Sequence, residues 1–109
     1  MSTPFSRLAE LDRLVHEPAR LAILAALSAC ESADFLFLQR ITGLSKGNLS
    51  SHLARLDEAG LVTVTKEFVG KVPRTNAALT PEGRERLTAH WQDLERLSRD
   101  ARRWRPTGA

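Results

Sequence analysis

"TGLSKGNLSSHLARLDEAGLV", residues 42–62, decides how the rest of the chain is read. Ser45 is placed to cap a helix and Gly60 to end one, so the stretch predicts a helix over 46–59. At about 100° per residue, Leu49, Leu53 and Leu56 share one face. The opposite face presents Gly47, Asn48, Ser51, Ala54 and Arg55, side chains that are mostly small or hydrogen-bonding. Such a face can sink into a DNA major groove and let short donors reach base edges. The acids Asp57 and Glu58 come only at the far end. At the near end, free backbone N–H groups and a capping serine suit a phosphate. The short glycine-bearing connection "TGLS" is the kind that joins the two helices of a helix-turn-helix.

Working back from this helix, "FLFLQRIT" at 35–42 predicts a helix capped by Asp34 and stopped by Gly43. Before it, "PARLAILAALSA" at 18–29 starts with Pro18 and is apolar nearly all round, as a central buried helix should be. Phe5, Leu8, Leu11 and Val15 recur at three- and four-residue spacing, which predicts an amphipathic first helix over 5–15.

Beyond Gly60 the pattern changes. "LVTVTKEFV" at 61–69 alternates valine with threonine and reads as a strand. A turn through "GKVPR" at 70–74 leads to a weaker return strand, "TNAALT". In "TPEGRERL", Thr80 caps a last helix, Pro81 takes its first position, and Glu82 and Glu85 favour its positive end. That helix runs to about 103, leaving 105–109 as a frayed tail. The expected fold is therefore mainly α with a small β-hairpin: a winged helix-turn-helix of three core helices, a two-stranded wing and a long C-terminal helix, in one domain over 1–109.

Composition narrows the function. The net charge is only +3, but residues 45–75 hold Lys46, Arg55, Lys66, Lys71 and Arg74 against three acids. Tyrosine is absent and there are two tryptophans, too few for a platform that stacks single-stranded bases. One cysteine, Cys30, excludes an internal disulfide and suits a reducing cytoplasm, and no apolar run is long enough to span a bilayer. There is no Ser/His/Asp arrangement, glycine-rich phosphate loop or carboxylate pair of the kind enzymes use.

"LSKGNLSSHLARLDEAGLV" together with "VTKEFVGKVPRTNAALTPEGRERL" resembles the winged-helix transcriptional regulators of the MarR and ArsR type, over nearly the whole chain. The resemblance implies a homodimer on a pseudo-palindromic double-stranded operator, most often acting as a repressor. It implies helix contacts from Ser45, Lys46, Asn48, Ser50, Ser51 and Arg55, and wing contacts from Lys71 and Arg74 with Lys66 and Thr75. The metal clusters of ArsR-type sensors do not carry over, because His16, His52 and His90 are scattered beside a single cysteine. No metal or cofactor is expected. His52 is expected to pack half-buried against a neighbour.

The last helix places Leu87, Leu94 and Ala101 at strict sevens, with His90, Leu97 and Trp104 interleaved and Trp91 widening the stripe. About 22 residues span about 33 Å, more than a domain of this size covers. The overhang, aided by Phe5, Leu8 and Leu11 within residues 1–17, is expected to pair with a second chain, giving the two half-sites a major-groove reader needs. Apolar side chains there leave room for a small-molecule effector, but no convergent polar set names one. The rival reading is a winged-helix protein-interaction module that does not bind DNA, which would have no use for a basic wing.

Overall fold

Eight elements succeed one another along residues 2–107, the part of the chain that the computed structural model describes. They are α1 (Pro4–Ala9), α2 (Pro18–Ser28), β1 (Ala33–Asp34), α3 (Phe35–Thr42), α4 (Lys46–Glu58), β2 (Val62–Val69), β3 (Val72–Leu79) and α5 (Pro81–Arg103). Polar caps set most helix starts. Asp34 accepts from Phe37 N at 2.8 Å, Ser45 from Asn48 N at 3.2 Å, and Thr80 from Gly83 N at 3.0 Å.

Packing then holds what capping starts. Helix α4 has 13 residues, a length that is marginal for an isolated helix in water. Leu49, Leu53 and Leu56 are buried on it, and each contributes roughly 1.5–3 kcal/mol by leaving water. They join Val15, Ile23, Leu24, Leu27, Leu38, Leu61, Val62, Ala77 and Leu87 in one core. The polar face of α4 is thus free of any duty to hold the helix in place.

Three expectations need correction. The first helix does not run over 5–15; α1 ends at Ala9. Asp12 breaks it by accepting from Leu14 N at 3.0 Å and Val15 N at 3.4 Å, offering the backbone a local turn in place of the helix. Leu11 and Val15 still reach the interior, but from a turn. The sheet has three strands in the order β1-β3-β2, because Ala33 and Asp34 pair with Ala77 and Asn76. The wing's turn is two residues, Gly70–Lys71, rather than five, and β3 starts at Val72.

The short turn has a physical cause. Gly70 takes φ +65°, as the first position of a two-residue hairpin turn of the II′ kind requires. Pro73 lies opposite Phe68, one pair beyond the turn-closing Val69–Val72 pair. Antiparallel ladders alternate hydrogen-bonded and non-bonded pairs, so the proline nitrogen there faces away from β2, where β1 no longer runs. Proline therefore costs this strand no ladder bond.

The molecule is long: 69 × 25 × 21 Å, with a radius of gyration of 17.2 Å. A compact chain of about 100 residues has about 13 Å. Helix α5 accounts for about half of the long dimension: its 23 residues span about 35 Å, and its far end is met by α1.

Candidate nucleic-acid interface

A groove between α4 and the wing, with a mixed polar and apolar lining, brings several predicted site residues together. It holds about 740 Å³ and is lined from α4 by Lys46, Ser50, Ala54 and Asp57, and from the wing by Lys66, Arg74 and Thr75. Helix α3 contributes Leu36 and Gln39 to its wall. Lys46, Lys66 and Arg74, the hydroxyls of Ser50 and Thr75 and the acids Asp34 and Asp57 thus line one trough beside the N-terminus of a capped helix, where backbone N–H groups and the helix dipole favour an anion. Among the described residues, none of Lys46, Arg55, Lys66, Lys71 and Arg74 is held in an ion pair.

Asn48, Ser51 and Arg55 are exposed but lie outside that groove, on the remaining open surface of α4. Ser45 is exposed at the cap itself. Lys71 occupies the turn and reaches farthest, while Arg74 is set back along β3, opposite Glu67. Glu67 does not pair with Arg74: it accepts from Asn76 Nδ2 at 2.7 Å. That bond restrains the acid and leaves the guanidinium free.

The wing also carries a feature that its basic residues overshadow in the sequence. Phe68 is 74% exposed and Val72 66%, and Leu36 on the facing α3 is 70% exposed. The strand alternation predicts which face each takes but not that the hairpin tip extends beyond the core. The signal available was the apolar "FVGKVP" run in a segment with nothing behind it.

At the other end of the molecule, the expected pairing face divides. Phe5 and Trp104 stack edge to face, with ring centroids 5.2 Å apart, and both remain exposed, as do Leu8 and Trp91. Leu94 and Ala101 are half-buried. Leu11, Leu87 and Leu97, by contrast, are buried within this chain and are not available to a partner. Leu87 belongs to the core, and the N-terminal segment folds over α5. The heptad stripe is therefore in part a packing face of the domain itself.

Two of the three histidines meet in space, and the third stands apart from them. His16 Nδ1 lies 3.1 Å from His90 Nε2, and His52 Nδ1 lies 3.2 Å from an Arg20 nitrogen. His90 is 3% exposed, and its pKa is pushed down first by burial and then by His16. Burial raises the Asp12 carboxyl, but the Arg86 hydrogen bond and the Val15 and Leu14 N–H groups together bring it below its ordinary value. Among the described residues, no group of three or more His, Cys, Asp or Glu side chains is arranged to hold a metal, and no helix is long and apolar enough to cross a membrane.

Comparison with known proteins agrees with this geometry. The family described as winged helix DNA-binding domain matches residues 19–98. Uncharacterized protein MJ0432 of Methanocaldococcus jannaschii is 28% identical over 88 residues, covering 81% of this chain and 96% of that protein. A transcriptional regulator homologue from Pyrococcus horikoshii OT3 superposes with a TM-score of 0.78 at 27% identity, over 88% of this chain and 94% of the other. A MarR-family transcriptional regulator from Silicibacter pomeroyi shares the fold with a TM-score of 0.65 at 22% identity, over 95% of this chain and 69% of its own. The chain belongs to the winged-helix DNA-binding domain family and shares its fold with solved transcriptional regulators.

Proposed function

We propose that the protein is a homodimeric, sequence-specific regulator of transcription, acting in the cytoplasm as a repressor on a pseudo-palindromic operator. Helix α4 enters the major groove and reads bases through Asn48, Ser51 and Arg55. The wing places Lys71 and Arg74 at the neighbouring minor groove, where a narrow, electronegative channel favours cations. The strand between the two grooves runs through the trough, against Lys46, Ser50, Lys66 and Thr75. The second chain packs on the exposed parts of α1 and α5: Phe5, Leu8, Trp91, Leu94, Ala101 and Trp104.

The observation that carries this reading is the trough itself, which Lys46 from α4 and Lys66 and Arg74 from the wing line without an ion-pair partner, beside the acids Asp34 and Asp57. The test is selection of duplex fragments from a random pool at about 150 mM salt, where long-range attraction between exposed charges is screened beyond about 8 Å. The expected product is an inverted repeat with half-site centres about one helical turn, 10–10.5 base pairs, apart. Retention without a shared motif would leave only phosphate binding.

One observation favours a second reading. The exposed Leu36 and Val72, which line the same groove, would suit a protein partner there. A complex with protein that ignores salt, and none with duplex, would support it.

A further inference from the structure

We infer that Arg20 and His52 are positioning residues of the DNA-binding surface: they fix α4 relative to α5 and so set the separation of the two recognition helices in a dimer. The inference rests on the dimeric reading above.

The leucine face of α4 gives strength without direction, since apolar burial depends on area rather than angle. Direction comes from the flank. Arg20 stands in the first turn of α2, its side chain 11% exposed. Its Nε donates to Leu14 O at 2.7 Å, one terminal nitrogen to Arg13 O at 3.2 Å, and the other to His52 Nδ1 at 3.2 Å. A guanidinium has no acceptor, so His52 Nδ1 must accept and the ring proton must sit on Nε2. Glu17 Oε2 closes the triangle, 4.0 Å from Arg20 and 3.9 Å from His52, while accepting from Arg20 N at 2.7 Å. One fork therefore joins the recognition helix, the start of α2 and the turn before it.

That same turn is clamped to α5. Asp12 accepts from Arg86 Nε at 3.1 Å, and His16 meets His90 at 3.1 Å. Arg86 and His90 are one helical turn apart on α5. The segment between Asp12 and Arg20 is thus a polar strap with one end on α5 and the other on α4. On α4, His52 lies four residues after Asn48 and three before Arg55, so all three share a flank. A rotation of α4 that breaks the Arg20 bond moves both of those proposed base-contacting side chains.

The test compares His52→Leu, His52→Asn and Arg20→Lys with the wild type on duplexes whose half-site spacing is varied by single base pairs. Asparagine places an acceptor near the position of Nδ1; leucine removes it; lysine keeps the charge of Arg20 and loses the fork. Circular dichroism and thermal unfolding first establish that each variant folds. His52→Leu and Arg20→Lys should bind the preferred spacing about tenfold more weakly, the factor for one lost charge-assisted hydrogen bond, with non-specific affinity and salt slope unchanged. The preference for one spacing should flatten, and His52→Asn should restore it. Folded Leu and Lys variants that keep the wild-type preference would overturn the inference, as would a loss in affinity shared equally by every spacing and by non-specific duplex. If the wild type itself selects no duplex, the dimeric-regulator reading fails first and takes this one with it.

Discussion

His16 and His90, 74 residues apart in sequence, meet ring to ring at 3.1 Å with only one proton able to sit between them. The contact fastens the N-terminal segment to α5 and makes the fastening sensitive to acid. Asp12, Asp93 and, through Asp12, Arg86 complete the charged surroundings of His90. The two carboxylates pull its pKa up, but burial and His16 prevail and hold it below 6.5. Between the lowered value and 6.5 the unfolded chain takes the proton more readily than the folded one. The stability that neutral His90 contributes is therefore whole above about pH 6.5 and declines as pH falls below it. Thermal midpoints measured between about pH 8 and pH 5 should fall more steeply for the wild type than for His90→Gln. Equal slopes would remove His90 as the cause.

Gly83 marks a second close approach, between α5 and the backbone of Leu61. A Cβ at position 83 would lie 2.0 Å from Leu61 O, a backbone atom that cannot step aside. Gly83→Ala should destabilise the fold by about 1–3 kcal/mol, lowering the thermal midpoint by about 4–8 °C for each of them. A midpoint equal to that of the wild type would show that α5 can shift without cost.

Each wing cation should register in the salt dependence of duplex binding. Arg74→Ala and Lys71→Ala should each lower the slope of log K against log salt by about 0.9, as one phosphate neutralisation is lost. Glu67→Gln, which removes the acid facing Arg74, should tighten binding. An Arg74→Ala protein with unchanged affinity and slope would take the wing out of the interface.

The uncharged residues of α4 should behave differently. Asn48→Ala or Ser51→Ala should cost about 1–3 kcal/mol of discrimination between the selected sequence and a base-substituted one, with little change in salt slope. Competition binding with the two duplexes measures this. Discrimination that survives both substitutions would move base reading elsewhere on the helix.

Local chemistry makes much of this architecture legible in the sequence alone. Asp34, Ser45 and Thr80 cap the helices they were expected to cap, because a side chain that satisfies a backbone donor three residues on needs no tertiary context. The apolar spacing of Phe5, Leu8, Leu11 and Val15 misled for the same local reason: Asp12 satisfies Leu14 and Val15 N–H, so the period of a helix is filled by a turn. Strand β1 is two residues long and exists only because β3 lies beside it. The heptads of α5 could not say whether Leu87 and Leu97 face a partner or the chain's own interior. That choice depends on the Asp12–Arg86 and His16–His90 contacts, each between residues 74 apart. Of the interface, the residue types on α4 and the wing were visible; the single trough shared by Lys46, Lys66 and Arg74 was not, since it needs the hairpin's two-residue turn and register.

Helix α4 and the wing are proposed to form one surface for duplex DNA. Hydrogen–deuterium exchange of the protein with and without a selected duplex tests this most directly, because it locates the contact without altering a residue. Slowed exchange confined to residues 45–55 and 66–75 is the predicted result. Slowing that spares either segment, or that falls on α2 and the N-terminal half of α5 instead, would contradict it.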